Sequence, residues 1–193
     1  MKREKWPTLH VINLAHRTDR LEALKRELAR QEIQDYRIWP GIVADRSSKG
    51  IAAAHQQIVK WAAENNLQEV TIAEDDVLFT DPGAFKHYIN NKPVEFDLYL
   101  GGITYGNIGP DNNVTDFAGT HLYTIHKNFF NFFLSHDGQT NIDRSLKGKG
   151  KFVVCNPMVA LQRNGFSDNR KREMDYTVYF EGRRLYKNPL PFS

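Results

Sequence analysis

The alternation of short apolar runs with amphipathic stretches is the sequence feature that most constrains the fold. Strand-like segments rich in β-branched and apolar residues span positions 8–14, 36–39, 69–73, 96–100, 122–125 and 151–155. Helical patterns lie between several of them, at about residues 19–28, 51–65, 83–89 and 127–134. This order predicts an α/β sandwich whose sheet is mostly parallel. In such sheets, ligands bind at the carboxyl ends of the strands.

The composition is that of a soluble globular protein with a core of ordinary size. The chain has 193 residues, of which 40% are hydrophobic and 25% charged, so we expect a single domain. No apolar run approaches the length of a membrane span, and residues 1–6 run into a proline without a signal-like apolar stretch. The single cysteine, Cys155, excludes an intrachain disulfide. These features predict a cytoplasmic protein.

Charge is distributed unevenly along the chain. Residues 1–143 contain 15 basic and 19 acidic residues, whereas residues 144–193 contain 11 basic and 4 acidic residues. The basic C-terminal quarter could attract nucleic acid, anionic lipid or a phosphorylated substrate, or it could be a solvated face without a partner. No nucleic-acid-binding motif accompanies it, so we expect no nucleic-acid partner.

Three consecutive carboxylates, Glu74, Asp75 and Asp76, follow the third predicted strand directly. Their mutual repulsion requires a counter-charge, which a divalent cation bound together with a phosphate would supply. Because side chains alternate along extended backbone, Glu74 and Asp76 are predicted to share one direction and a metal ion, with Asp75 pointing away. The alternative is that the three residues cap the next helix or end the strand in solvent.

A polar loop, residues 15–20, follows the first predicted strand and leads into a helix that Thr18 or Asp19 could cap. Arg17 and the first amides of the helix could face a diphosphate, or the arginines of the loop could pair with nearby acids such as Asp19. The loop contains neither the G-x-G-x-x-G pattern nor a Walker motif. This excludes ordinary dinucleotide dehydrogenases and nucleoside triphosphatases.

Several segments, taken in order, resemble one family. Residues 11–20 (VINLAHRTDR), 47–62, 70–79 (VTIAEDDVLF), 117–128, 141–146 (NIDRSL) and 153–169 are similar to successive motifs of glycosyltransferase family 25, the lipooligosaccharide and collagen galactosyltransferase group. The similarity covers residues 8 to about 169. The second segment departs from the family pattern, because Lys49 replaces an acid before the glycine and alanines replace the cysteine and the serine that precede His55.

The resemblance implies a nucleotide-diphospho-sugar transferase fold, a Rossmann-like α/β/α sandwich of the GT-A kind. It implies a domain at residues 1–169, and we expect residues 170–193 to form a basic, aromatic extension packed on it. The implied reaction transfers a sugar, galactose or glucose, from a UDP-sugar to a saccharide or glycolipid acceptor such as lipopolysaccharide. Transfer would invert the anomeric centre with the help of Mn²⁺ or Mg²⁺. A glycolipid acceptor would place the protein at the inner face of the membrane.

The resemblance also assigns site residues. It places the donor near Arg17, Asp19, Arg20, Lys49, His55, Asp75, Thr120 and Gln162. Glu74 and Asp76 would bind the metal, with His121 either a third ligand or the donor of a structural hydrogen bond. Asp168 and Asp143 are the candidate general bases, with Asp168 preferred because it lies in a Ser-Asp motif. The sugar and the acceptor would depend on loops such as residues 104–116.

Two other functions remain open from the residues alone. A catalytically degenerate module would bind the nucleotide sugar without turnover. A metal-dependent phosphohydrolase would use the acidic triplet to release phosphate from simple esters.

Overall fold

A mixed β-sheet runs through the centre of the computed structural model, which describes residues 6–189. Its elements are β1 (Leu9–Asn13), α1 (Thr18–Arg30), β2 (Tyr36–Pro40), α2 (Ser47–Glu64), β3 (Glu69–Glu74), β4 (Val77–Phe79), α3 (Ala84–Asn90), β5 (Leu98–Leu100), β6 (Asn113–Val114), β7 (Leu122–His126), α4 (Phe130–Leu134), α5 (Ile142–Ser145), β8 (Phe152–Val154), β9 (Ala160–Gln162), β10 (Gly165–Ser167) and β11 (Arg172–Met174). Short 3₁₀ turns span Pro110–Asn112, Lys127–Phe129 and Thr177–Phe180.

The sheet has the strand order β2-β1-β3-β7-β5-β8-β6. Strand β1 pairs in parallel with β2 and β3, and β5 pairs in parallel with β8. Strand β7 lies antiparallel between β3 and β5, and β6 is antiparallel to β8. Five of the seven strands therefore run in the same direction, whereas β7 and β6 run the opposite way. The α/β class is confirmed, and the sheet is mixed. Two small ribbons, β4–β9 and β10–β11, lie outside the sheet.

Helices cover both faces of the sheet, so the predicted three-layer arrangement is confirmed. Along β1, Leu9 and Val11 pack with the buried leucines of α1 and with α3, whereas Ile12 packs with α2 on the opposite face. This alternation follows from the two-residue period of a strand whose faces are both buried. None of the helices in the described part of the chain is long and apolar enough to cross a bilayer.

Two helix starts differ from the sequence-based expectation. Helix α1 begins at Thr18 with Arg17 as N-cap and no side-chain cap bond, so neither Thr18 nor Asp19 caps it. Helix α2 begins at Ser47, four residues before the predicted Ile51. Its first turn packs tightly on the loop after β2, where a Cβ on Gly50 would lie 2.3 Å from the carbonyl oxygen of Ile42.

The functional edge of the sheet follows from the strand directions. The parallel strands β1, β2 and β3 all end at this edge, and β7, which runs the opposite way, begins there. In the register, Ile12 pairs with Glu74, and Ala73 pairs with Leu122. Asn13, the acidic triplet and the residues before β7 therefore lie at one edge, at the carboxyl ends of the parallel strands.

The segment after residue 169 is part of the domain. Met174, Tyr176 and Phe180 are buried in the hydrophobic cluster that also contains residues of α2 and β7. A backbone bridge joins Met158 to Leu185. The described part of the predicted extension thus packs on the same domain and completes its core.

Candidate functional site

Arg20 supplies the counter-charge that the acidic triplet requires. Its Nη1 donates to Oδ1 of Asp75 at 2.9 Å and to Oδ2 of Asp76 at 3.2 Å. Asp75 also accepts a hydrogen bond of 2.7 Å from Nδ2 of Asn13, at the end of β1. The chain turns immediately after Glu74, so the expected alternation does not hold, and the side chains of Asp75 and Asp76 both reach Arg20. Burial raises the pKa of Asp75, an effect that Arg20 opposes.

Asp76 is buried and only partly satisfied. Its Oδ2 accepts from Arg20 and from Nε2 of Gln162 at 3.0 Å, whereas Oδ1 has no hydrogen-bond partner among the described residues. Burial, followed by the negative charge of Glu74, raises the pKa of Asp76 to about 7. A buried carboxylate oxygen without a partner is costly, and a bound cation would relieve that cost.

Glu74 is held in place by two polar side chains, Thr120 and His55. Its Oε1 accepts a hydrogen bond of 2.6 Å from Thr120 and lies 3.6 Å from Nε2 of His55. His55 in turn contacts the hydroxyl of Tyr123 through Nδ1 at 2.9 Å. Burial alone would raise the pKa of Glu74, but His55 and Thr120 outweigh it and hold the pKa below its usual range. Glu74 is therefore a fixed, ionised carboxylate.

His121 contacts the backbone. Its Nε2 lies 3.2 Å from the carbonyl oxygen of Ala160, and its ring is fully buried. Burial lowers the pKa of His121. Within residues 6–189, no group of three or more His, Cys, Asp and Glu side chains is arranged to hold a metal ion. The geometry thus favours the structural hydrogen bond for His121.

The loop arginine Arg17 pairs with acids, as the alternative sequence interpretation expected. Its guanidinium donates to both carboxylate oxygens of Asp19, at 2.8 and 2.9 Å, and also to Asp168. His16 lies 3.2 Å from the other oxygen of Asp168. Burial would raise the pKa of Asp168, but Arg17 and His16 outweigh it and lower that pKa.

The contact with Asp168 fastens the β10–β11 ribbon over the edge of the sheet. The carbonyl oxygen of Phe166, on β10, accepts from Arg17 at 3.1 Å and from Arg20 at 2.7 Å. Arg20 therefore contacts both the acidic triplet and the ribbon.

A cleft of about 510 Å³ opens beside the acidic triplet. The members of the predicted site that line it are Arg20, His55, Glu74, Asp75, Asp76, Gln162 and Asp168. Ile42 and Val43, on the loop after β2, add an exposed apolar wall, and Val43 is 79% exposed. The size and the mixture of apolar wall and convergent polar groups are typical of a ligand site.

Several predicted donor residues do not line this cleft. Lys49 pairs with Asp45 at 3.3 Å, and Asp19 pairs with Arg17. Thr120 contacts the site through Glu74. The sequence interpretation missed Asn13, although it lies inside the VINL segment at the carboxyl end of a predicted strand, a position that could have indicated it.

A second cavity of about 290 Å³ adjoins the cleft. Glu74, Gln162, Asn169 and Tyr176 line both, so they form a shared wall. Asp143 lies in the second cavity, where it accepts from the backbone amides of Gly119 (3.0 Å) and Arg144 (2.7 Å). Burial raises the pKa of Asp143, and the charge of Glu74 adds to this effect.

The carboxylates of Glu74 and Asp76 are suitable ligands for a hard divalent cation. Such a cation would take its remaining ligands from a diphosphate and water. Glu74 offers an ionised carboxylate, and Asp76 offers the unpartnered Oδ1. Mg²⁺ is commonly bound in this manner, by one or two carboxylates together with substrate phosphates. A cage built from protein ligands alone would need a third side chain, which the described residues do not place there.

Comparisons with solved structures place the fold among known ones. A197 from STIV superposes with a TM-score of 0.51 at 11% identity, over 97% of this chain and 98% of the other. A glycosyltransferase involved in the glycosylation of the major capsid of PBCV-1 gives a TM-score of 0.50 at 10% identity, over 78% and 82% of the two chains. HddC from Yersinia pseudotuberculosis gives 0.47 at 12% identity, over 77% and 89%. The chain thus shares its fold with a glycosyltransferase of known structure.

The sequence itself matches no protein-family model and no curated protein. Membership of glycosyltransferase family 25 therefore stays a prediction.

Proposed function

We propose that this protein is a glycosyltransferase of the family 25 type that transfers a hexose, galactose or glucose, from a UDP-sugar to a saccharide acceptor. The observation that carries the proposal is the acidic triplet at the carboxyl end of β3, with Asp75 and Asp76 buried and Glu74 half-buried, facing a cleft of ligand size. The fold shared with a solved glycosyltransferase supports it.

The cleft offers suitable surfaces to the nucleobase and to the diphosphate of a nucleotide sugar. Ile42 and Val43 form an apolar wall against which a nucleobase would pack. Glu74 and Asp76 would hold Mn²⁺ or Mg²⁺, which when bound neutralises charge on the departing diphosphate. Arg20 adds a fixed positive charge at the same place.

Transfer requires a group that accepts the proton of the acceptor hydroxyl. The hydroxyl oxygen forms a bond to the anomeric carbon, the bond from that carbon to the diphosphate oxygen breaks, and UDP leaves with the electron pair. The hydroxyl proton passes to a carboxylate. We assign this role to Asp143, a half-buried carboxyl in the second cavity that has a raised pKa. Asp168 suits it less well because Arg17 and His16 lower its pKa and occupy it.

The acceptor class follows from the charge of the ribbon turn. Lys171 is exposed and lines the cleft, Arg170 is exposed and lines the second cavity, and Arg172 is exposed at the start of β11. They would favour an anionic glycan such as the saccharide of a lipopolysaccharide, with the protein peripheral to the membrane that carries it.

Thermal-shift titration with UDP, UDP-galactose, UDP-glucose and GDP-mannose, each with and without Mn²⁺, tests the proposal. We expect a UDP-sugar to stabilise the protein in the presence of Mn²⁺, by about 2.7 kcal/mol at a hundredfold excess over its dissociation constant. Asp76→Asn should abolish the metal-dependent part. Asp111→Asn, at an exposed position outside both cavities, is the matched control.

The possible results separate the remaining functions. No shift with any nucleotide would contradict the proposal. A shift without release of UDP in the presence of acceptor would indicate a degenerate binding module.

A further inference from the structure

The second cavity has the composition of a carbohydrate site. Tyr105 and Tyr179 line it and are 55% and 41% exposed, although tyrosine rings of this size would gain free energy by burial. Exposed aromatic rings that line a concave surface offer flat apolar faces to a ligand.

Both rings are held in place before any ligand arrives. The guanidinium carbon of Arg144 lies 4.8 Å from the centre of the Tyr105 ring, in cation–π contact. Tyr179 packs beside Tyr176, with ring centres 6.1 Å apart. Ordered rings lose little freedom on binding, so their contact area contributes to affinity.

Polar groups line the same cavity. Asn141, Asp143, Asn169 and Arg170 also line the cavity and can accept from or donate to hydroxyl groups. Within the described chain, the guanidinium of Arg170 makes no ion pair, whereas Arg144 is neutralised by Asp116 at 2.6 Å. Aromatic faces for C–H groups, together with amide, carboxyl and guanidinium groups for hydroxyls, match a pyranose.

The neighbouring cleft is the better place for the nucleotide. It is larger than the second cavity, and it contains the acidic pair and the shared cation Arg20. Glu74 and Gln162 separate the two volumes, so ligands in both would meet at this wall.

We propose that the second cavity is the acceptor subsite and binds a saccharide, with a sugar ring against Tyr105 and Tyr179 and a hydroxyl near Asp143. The inference rests on the proposed function, because it defines where the second substrate of the same transfer binds. Under this inference, the protein glycosylates a saccharide and not a protein side chain or a lipid tail.

Saturation-transfer NMR with glucose, galactose, N-acetylglucosamine, lactose and maltose tests the subsite, both with and without UDP and Mn²⁺. We expect at least one of these sugars to bind wild-type protein, and Tyr105→Ala and Tyr179→Ala each to weaken that binding about tenfold. Tyr105→Phe and Tyr179→Phe keep the ring and should bind within about twofold of wild type. Tyr36→Ala, an exposed tyrosine on β2 outside both cavities, is the control and should change nothing.

UDP affinity, measured on the same variants by calorimetry, separates the two proposals. If UDP binds but none of these sugars does, or if the alanine variants bind sugar as the wild type does, the subsite is refuted and the donor site stands. If Tyr105→Ala weakens the binding of UDP and the binding of sugar alike, the tyrosine is structural and the subsite is also refuted. If sugar binds through the tyrosines while UDP does not bind, the subsite is supported as a carbohydrate site and the transferase function fails.

Discussion

Arg20 is the residue on which the acidic triplet depends most directly. It neutralises Asp75 and Asp76 and also donates to the carbonyl oxygen of Phe166. Its side chain is only 16% exposed, so these contacts are made largely out of water. Removal of a partner from such a group leaves buried charge without compensation.

We therefore expect Arg20→Met to lower the free energy of unfolding by about 2 to 3 kcal/mol, less than for a fully buried pair because Arg20 is partly exposed. Urea denaturation at pH 7 measures this. Arg26→Met, an exposed change on the same helix, should stay within about 0.5 kcal/mol of wild type. Equal effects of the two substitutions would contradict the role of Arg20.

Asp143 and Asp168 give a kinetic prediction. As a general base, Asp143 should be required for kcat, so that Asp143→Asn lowers kcat about 10² to 10⁴-fold with the KM for the donor little changed. Asp168→Asn should have a much smaller effect on kcat, because that carboxylate is already paired with Arg17. The reverse ranking, from initial rates of UDP release, would return the role to Asp168.

Sequence reasoning found the acidic triplet because its members are contiguous and follow an apolar strand. It did not find their partner. Arg20 was expected to lie near the sugar donor or to pair with a neighbouring acid, but it pairs with carboxylates 55 and 56 positions away. Such a contact depends on how α1 and β3 pack, which no local pattern encodes.

At the scale of elements, the β10–β11 ribbon is fastened by polar side chains as well as by Met174 in the hydrophobic core. The Arg17–Asp168 pair joins it to the loop after β1, and His16 adds a second contact. Because Arg17 and His16 lower the pKa of Asp168, the resulting stabilisation is present above the ordinary carboxyl range and is lost as the pH falls through the lowered value.

Hydrogen exchange of residues 165–174 measures this effect. At pH 7, we expect Asp168→Asn to increase the opening equilibrium of the ribbon about threefold, as for a partly exposed ion pair. The difference between variant and wild type should shrink as the pH falls below the ordinary carboxyl range, because Asp168 is then protonated first in the open ribbon and at lower pH in the closed one. A difference that persists in acid would show that the hydrogen bond, not the charge, fastens the ribbon.

The elements that the sequence predicted are those with long periodic patterns. Strands β1 and β3 and helix α2 were expected, apart from the early start of α2. Strands β4, β6, β9, β10 and β11 were not expected, since each has only two or three residues. Strands β5 and β8 are equally short but were predicted, from the runs 96–100 and 151–155. Part of the predicted loop 104–116 is β6, which forms only because β8 offers an edge.

At the scale of the whole molecule, the C-terminal segment and the sheet form one core. Phe180 is 6% exposed within the cluster that contains α2 and β7, whereas Val178 in the same 3₁₀ turn is 56% exposed. The segment from residue 170 onward was expected to pack on the domain as an extension. Its buried side chains make it part of the core.

Phe180→Ala should therefore destabilise the entire domain by about 3 kcal/mol, with one cooperative transition. Guanidinium denaturation followed by tryptophan fluorescence and circular dichroism measures it, since both signals should move together. Val178→Ala should change stability by less than about 0.5 kcal/mol. A local loss of structure around residue 180 with an unchanged main transition would show that the segment is not part of the cooperative core.

The position of β7 has a consequence for biosynthesis. Strand β7 lies between β3 and β5, yet it follows both in the chain. While the polypeptide emerges from the ribosome, β3 and β5 have edges that stay unpaired until residue 126 is available, and unpaired edges invite association with other chains. Completion of the sheet thus depends on a central strand that is synthesised after both of its neighbours. A nascent chain arrested before β7 should require chaperone protection that the released protein does not.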